Sequence, residues 1–510
     1  MIRDYRAGIF ILALCLGPAT SAMATEYSIE AWMTAPLKTP KGTIAGSAAA
    51  MKKFDAFKRQ SAPSTKLDTS TYSLIIDSEK QYQTIEGWGA NLTESSVITL
   101  ARLSRAKRAE ALRLLFDPKK GAGFTVLRVP IGASEFVDVG GGYYTYDETP
   151  DGNPDPEFKY FTMERDRKSL DLLKEIKRIN PKLTLILTAW TGPTWMKTNK
   201  AFKGGYLKPE FRKDYGRYLA RTIEEYSKKL RYSVLATSIL NEPGVDHGYN
   251  PSMAMSPAEQ ATLIADALEP ALRERGLTTP IIVHDHNWDM VDDVIGILSN
   301  PRAYERTSGI AVHCYTGDIE DVIWLRALYP QKDIYQTECT GIMDSGGFTD
   351  DFQWWINTQV IQGANLGSKV GLGWNLTLDE TGGPVLDGCK GCRGLLTIDS
   401  KTGSFAANAE YYALAHGSRF VKPGAVRVSV EEGDGKLAQM SSTAFLNPDG
   451  SLVLIVANGG DKPIPLEVSA PSDRVFQFVL PALAGMTITL RDKVVSPASA
   501  LNKSKTTSAP

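Results

Sequence analysis

Between residues 84 and 375 short β-rich apolar runs alternate with longer amphipathic stretches, and the runs number eight. They lie at 84–89, 124–129, 183–190, 234–240, 281–284, 310–315, 333–338 and 369–375. Near-continuous apolar runs of this length fit strands covered on both faces, as in a parallel sheet flanked by helices. The intervening segments carry helical periodicity: in 212–229, Tyr215, Tyr218, Leu219, Ile223 and Tyr226 recur on one face with charges elsewhere. Trp354 and Trp355 lie in another such segment and are expected to pack against the strands. Eight strand–helix repeats predict an α/β fold, a (β/α)8 TIM barrel, over residues 84–400.

Beyond the barrel the texture changes. Short strand-like runs at 426–430, 441–446, 452–457, 464–468, 475–480 and 486–490 are separated by turns such as Asn447-Pro-Asp-Gly450 and Asn458-Gly-Gly460. This pattern predicts a β-sandwich over 401–492. Within the N-terminal segment 25–83, the runs 28–33 and 72–76 are also β-like and are expected to complete the sandwich from the other end of the chain, while 39–66 takes no assignment. A sandwich built from both ends reads as a structural partner of the barrel rather than a detachable sugar-binding module. Residues 493–510 are small and polar and predict a disordered tail.

The chain opens as an export signal. Arg3 and Arg6 precede an apolar run over 7–16, and Ala22-Met23-Ala24 offers a small-residue cleavage site, so residues 1–24 are expected to be removed and the product secreted or periplasmic. A lipoprotein reading through Cys15 is disfavoured because Leu14 stands where such signals need a small residue. No later run approaches the roughly 20 apolar residues of a membrane helix, so no membrane span is expected. With 57 basic against 58 acidic residues, nothing in the charge favours nucleic acid or an anionic membrane as partner, and a neutral substrate fits better. Four cysteines follow the cleavage site. Cys389 and Cys392 are the one close pair, too few for a structural zinc site and expected as a local disulfide in an exported chain. Cys314 and Cys339 sit inside apolar runs and are expected as buried thiols, with a bridge between them left open.

In a (β/α)8 barrel the chemistry gathers at the C-terminal ends of the strands. The fourth run is followed by Asn241-Glu242-Pro243, and the seventh ends on Glu338. Two carboxylates at one mouth are what glycosidic cleavage requires, one protonating the leaving oxygen and the other attacking the anomeric carbon. Separately each has a plain reading, a turn ended by Pro243 and a solvated loop acid. Their joint placement after strands four and seven singles them out.

Several blocks, in order, carry a resemblance to glycoside hydrolase family 30, which holds acid β-glucosidases, glucosylceramidases and endo-β-1,6-glucanases. They are Gln83-Thr-Ile-Glu-Gly-Trp-Gly-Ala-Asn-Leu-Thr-Glu94, Leu127-Arg-Val-Pro-Ile131, Thr188-Ala-Trp-Thr-Gly-Pro-Thr-Trp-Met-Lys197, Asn241-Glu-Pro243, Asp285-His-Asn287, Gly309-Ile-Ala-Val-His-Cys-Tyr315, Thr337-Glu-Cys339, Gly373-Trp-Asn-Leu376 and Gly382-Gly-Pro384. The match extends over residues 72–490. It implies Glu242 as acid/base and Glu338 as nucleophile, with Arg128 and Tyr315 holding the nucleophile's geometry and ionisation. It further implies that Asn241 bonds the sugar 2-hydroxyl, that Trp190 and Trp374 wall the innermost sugar pocket, and that His313 donates to a sugar hydroxyl. Without the resemblance, Arg128 reads equally as a structural ion pair, His313 as a satisfied structural residue and the tryptophans as core. Glu135 stands where the glucosylceramidases carry an aspartate that grips glucose hydroxyls, so its extra methylene would reshape that grip. The stretch 248–255 looks closer to the endo-β-1,6-glucanase branch. Asn91-Leu-Thr93 and Asn375-Leu-Thr377 fit the glycosylation pattern but lie within barrel motifs and read as coincidental.

The resemblance therefore implies retaining hydrolysis of a β-glucan or β-glucoside, with β-1,6-glucan the expected substrate and no metal or organic cofactor. The rivals are an exo-acting β-glucosidase or glucosylceramidase and, from a different class, a non-catalytic carbohydrate-binding protein on a decayed barrel. The presence of both glutamates argues against the last.

Overall fold

A computed structural model describes residues 27–36, 51–54, 58–60, 71–244, 248–433 and 437–492. The expected export segment and tail lie outside the described residues. Eight parallel strands, Gly87–Asn91, Val126–Ile131, Thr184–Ala189, Ser233–Ser238, Ile281–Asn287, Thr307–His313, Asp333–Glu338 and Ser368–Asn375, follow one another in chain order, and the eighth pairs back onto the first to close a barrel. The first begins later than its apolar run suggested. Residues up to Thr84 belong to a sandwich strand, Tyr72–Thr84, and the chain turns the corner into the barrel at Gly87, whose φ of 140° and close approach to Thr125 exclude a side chain.

Strand alternation organises the barrel interior. Val126, Ile186, Ala236, Ile282, Ala311, Tyr335 and Leu372 fill its middle as an apolar plug. Outside the strands, the helix expected over 212–229 forms as Arg212–Glu224, continued by a wider π-helical turn, Glu225–Lys229, with Tyr215, Tyr218, Leu219, Ile223 and Tyr226 all buried. The helix Phe348–Trp355 buries Trp355 but leaves Trp354 at 42% exposure, which corrects the expectation that both pack inward. Adjacent helical residues point about 100° apart, so the two cannot share one face. Past residue 400 the chain still serves the barrel. Helix Ala409–Ser418 lies on it, with Gly417 so close under Trp88 that a Cβ would stand 2.9 Å from the indole.

The sandwich strands run in the hydrogen-bonded order Lys52–Phe54, Tyr27–Thr34, Ala484–Asp492, Leu452–Asn458, Met440–Leu446, Val426–Glu432, Tyr72–Thr84, Ile464–Ala470, Arg474–Leu480 and Lys58–Gln60. The 39–66 stretch, unassigned from sequence, thus supplies the two outermost short strands. Tyr72–Thr84 and Val426–Glu432 pair across two breaks in register. Strands on both sides of this pair send Leu454, Val456 and Ile488 and, opposite them, Leu466, Val468 and Phe476 into one core. The sandwich therefore takes strands from both ends of the chain.

Among the described residues there are two disulfides. Cys389–Cys392 closes a local loop, with Cα atoms 5.5 Å apart. Cys314–Cys339, with Cα atoms 5.3 Å apart, replaces the buried thiols expected from sequence. The reason is barrel adjacency, since the two residues follow the C-terminal ends of neighbouring sixth and seventh strands. Among the described residues no helix is long and apolar enough to cross a membrane.

Candidate active site

Two residues beyond the apolar plug, the same inward faces carry Arg128, Thr188, Ser238, His313, Thr337 and Trp374. Polar chemistry thus sits directly on an apolar floor at the C-terminal mouth. β-Bulges add to this layer, two of them beside the carboxylates. On the fifth strand His284 pairs with Ala311 and His286 with Val312, leaving Asp285 as the extra residue, and both His284 (φ 76°) and Asp285 (φ 52°) are left-handed. On the seventh, Gln336 pairs with Val312 and Glu338 with His313, leaving Thr337 extra. Each bulge re-aims a side chain that regular alternation would send elsewhere.

Arg128, fully buried, is the hub. Its guanidinium donates to Glu338 Oε2 at 2.7 Å, Asp285 Oδ2 at 2.8 Å, Asn241 Oδ1 at 2.6 Å and Asn91 Oδ1 at 2.9 Å. It also lies over the Trp190 ring, 4.7 Å from the centroid. Asp285 is equally buried and accepts from Ser238 and Thr337 hydroxyls, both at 2.6 Å. Burial alone would raise the Asp285 carboxyl, yet Arg128 and then His313 hold it well below the usual carboxylate range. Asp285 was not among the side chains singled out from the sequence.

Glu242 projects from a left-handed backbone (φ 46°), a conformation rare for a residue with a side chain, and its amide donates to the Asp285 carbonyl at 3.1 Å. Its Oε1 lies 3.1 Å from His313 Nδ1, while His313 Nε2 lies 3.1 Å from Asp285 Oδ1. With a carboxylate at each ring nitrogen, His313 is an imidazolium. Burial opposes that charge, but Glu338, Asp285 and Glu242 together push its pKa up to about 9. Glu338 takes the Tyr315 hydroxyl on Oε1 at 2.8 Å. Burial pushes the Glu338 carboxyl above its ordinary value, with Glu242 adding to the rise and His313, Arg128 and Tyr315 opposing it. Oxygens of Glu242 and Glu338 lie within 4.8 Å of one another.

Arg128, Asn241, Glu242, His313, Tyr315 and Glu338 are therefore brought into one connected network. Trp190 and Trp374 are brought together as a stacked pair. Their rings stack on each other, centroids 5.2 Å apart and 17° from parallel, too close to admit a sugar between them. Whatever they present to a ligand is a single joined surface, backed by Phe136 and Cys392. The Asn91 and Asn375 side chains are buried, which leaves neither accessible as a glycosylation site.

Glu242, His313 and Glu338 are also close enough to share a cation. Their atoms are otherwise engaged: both Glu338 oxygens take donors from Arg128 and Tyr315, and both His313 nitrogens face carboxylates. This donor set suits proton transfer and charge stabilisation better than metal binding.

Glu135 lies buried under the loop that carries the Cys389–Cys392 bridge, where a Cβ on Gly388 would stand 2.2 Å from Glu135 Cγ. Its Oε2 has no hydrogen-bond partner among the described residues. Burial, reinforced by the charges of Glu338 and Glu242, pushes its pKa up to about 8. A folded-state value above the unfolded one, about 4.3, gives a contribution to stability that is complete below about pH 4 and lost as pH rises through 8. Glu135→Gln, which keeps the neutral shape, is expected to match wild type in Tm at pH 4 and to exceed it by a few degrees near pH 8, read by calorimetry. A Tm difference independent of pH would show that Glu135 is ionised in the folded protein.

A closed parallel barrel with paired carboxylates at its C-terminal mouth and a β-sandwich beside it defines a barrel glycosidase. The chain belongs to glycosyl hydrolase family 30: the family's TIM-barrel domain matches residues 85–421 and its beta sandwich domain residues 424–488. It is thus a glycoside hydrolase, in a family that retains anomeric configuration. It is 31% identical to the endo-1,6-beta-D-glucanase of Neurospora crassa over 424 residues, which span 80% of this chain and 86% of that one. It is 26% identical to the lysosomal acid glucosylceramidase of Mus musculus over 443 residues, spanning 80% and 81% of the two chains. A solved endo-β1,6-glucanase structure aligns with a TM-score of 0.79 at 26% identity, covering 90% of this chain and 98% of that one.

Proposed function

We propose that the enzyme hydrolyses β-1,6-linked glucan internally, by double displacement. Glu338 attacks the anomeric carbon, and Glu242 protonates the departing glycosidic oxygen. Glu242 then takes a proton from water as the water displaces Glu338. The observation that carries this reading is the approach of Glu242 and Glu338 oxygens to within 4.8 Å, in keeping with the roughly 5 Å separation of retaining pairs.

The network supports the division of labour. Arg128 and Tyr315 each donate to one Glu338 oxygen, which favours the ionised nucleophile. His313 lies 3.1 Å from Glu242 Oε1 and holds that carboxyl beside Glu338. Arg128 also occupies Asn241 Oδ1, which leaves the amide NH2 of Asn241 to donate to a sugar 2-hydroxyl. The choice of β-1,6-glucan rests on the 31% identity to endo-1,6-β-glucanases against 26–29% to glucosylceramidases and putative glucosylceramidases. Export from the cell is part of the proposal. Two disulfides suit an oxidising compartment, as does the charged and apolar start of the chain.

The test is product analysis on linear β-1,6 and β-1,3 gluco-oligosaccharides and a glucosyl lipid, with the anomer followed by NMR. Internal cleavage of the β-1,6 chain with β-anomer formed first is expected. Initial release of the α-anomer would overturn the retaining pair, and glucose released only from chain ends or from the lipid would replace the endo reading with an exo one.

A further inference from the structure

We propose that the Cys314–Cys339 disulfide is a positioning element for catalysis, a covalent rung that fixes the Tyr315 hydroxyl against Glu338. The parallel ladder between the sixth and seventh strands ends at the pair His313 and Glu338. One residue further on each side stand Cys314 and Cys339, so the bridge continues the register where backbone pairing has stopped. Tyr315 comes next, beyond the end of its strand, and its hydroxyl must return 2.8 Å from Glu338 Oε1. Among the described residues its backbone has one anchor of its own, the amide donating to Asn287 Oδ1 at 3.1 Å, and Thr316 Oγ1 donates to Asp289 Oδ1 at 2.7 Å before Gly317 (φ 81°) turns the chain away.

The rung has site residues on every side. Cys314 lies between His313, which faces Glu242, and Tyr315, while Cys339 directly follows Glu338. The Cys339 carbonyl accepts the Trp374 amide at 2.6 Å, which ties the eighth strand to the same point. Cys339 is fully buried. A single bond thus sets the spacing between the proposed nucleophile and the phenol that bonds it. Opening it frees Cys314 and Tyr315 to drift from Glu338, while the barrel strands keep their ladders. Tyr315 opposes the rise in the Glu338 carboxyl, so losing its contact moves the acidic limb of the pH–activity curve upward.

The experiment is a double-mutant cycle of Cys314→Ser/Cys339→Ser against Tyr315→Phe, with kcat, KM, the pH profile and Tm measured for each. Both the paired cysteine variant and Tyr315→Phe are expected to lose about 10- to 100-fold in kcat. KM should stay within about twofold, and the acidic limb should rise in both. Combining them should add little further loss, because the two changes remove the same contact. A cysteine variant with wild-type kcat and pH profile overturns the proposal, as do fully additive losses. If the variant fails to fold, native enzyme is reduced with dithiothreitol, which gives two electrons and two protons to the bridge and closes to its own cyclic disulfide. Activity falling in step with opening of the Cys314–Cys339 bridge, followed by peptide mass, supports the proposal, and activity that survives its opening overturns it. The inference rests on Glu338 as nucleophile. Failure of that reading is recognised separately, by a Glu338→Gln variant that keeps near wild-type turnover, whereas a Tyr315→Phe variant with full kcat overturns the present proposal.

Discussion

Glu338→Gln is expected to lower kcat on β-1,6-gluco-oligosaccharides by about 10⁴-fold or more, while the affinity for the same oligosaccharide changes little. The amide has the shape of the carboxylate and can place its oxygen toward Arg128 Nη1 and its NH2 toward the Tyr315 hydroxyl, so the two contacts at 2.7 and 2.8 Å persist. What disappears is the nucleophile itself. Calorimetric titration with a β-1,6-gluco-oligosaccharide, beside single-turnover kinetics, separates the two quantities. A variant that retains near wild-type turnover would assign the attack on the anomeric carbon to another group.

The second large effect is expected at Arg128. Replacing it with Met leaves Asp285, with no exposed surface, and Glu338 without their shared cation. Removing one partner of a buried pair strands the other charge, and the unfolding free energy is expected to fall by about 3–5 kcal/mol. Glu338 also loses the donor that favours its ionised form, so activity should fall together with stability. Neutralising the stranded carboxylate with Asp285→Asn should restore part of the stability and little of the activity, since Glu338 stays unpaired. Arg128→Lys keeps the charge but cannot span the acceptors that the guanidinium fork reaches. Denaturant titration of the two single variants and the Arg128→Met/Asp285→Asn double variant checks this. An Arg128→Met enzyme as stable as wild type would mean that Asp285 takes up a proton at no cost.

These two residues mark the border of what could be read from the chain. Glu338 was legible because it ends the seventh apolar run, and the count of eight runs gives that run its place at the mouth, although the bulge at Thr337 was not. Glu242 was legible because it follows closely on the fourth run. Asp285 was not, although it stands just past the fifth apolar run as Glu242 stands past the fourth. The run there ends in His284, and the bulge that turns Asp285 inward depends on two left-handed residues that no alternation pattern announces. The missed signal was the polar Asp285-His-Asn287 run at a strand end. The Cys314–Cys339 bridge was left open because its geometry comes from two neighbouring strands, and local spacing carries no record of that. Trp190 and Trp374 both fall at strand ends as expected, and their stacking on each other was not legible because only packing decides how two indoles from different strands meet. Trp354 was misread for a simpler reason, that two adjacent helical positions cannot share a face.

The sandwich strand Tyr72–Thr84 has its neighbours, Val426–Glu432 and Ile464–Ala470, in the last part of the chain. A ribosome must therefore synthesise the whole barrel before this sheet can close. During synthesis the early strand has no partner to pair with, while each barrel strand meets its neighbour soon after emerging. Contacts so distant in sequence form slowly. Closure of the sandwich therefore waits for residues 426–470, by which time every barrel strand has had the chance to pair.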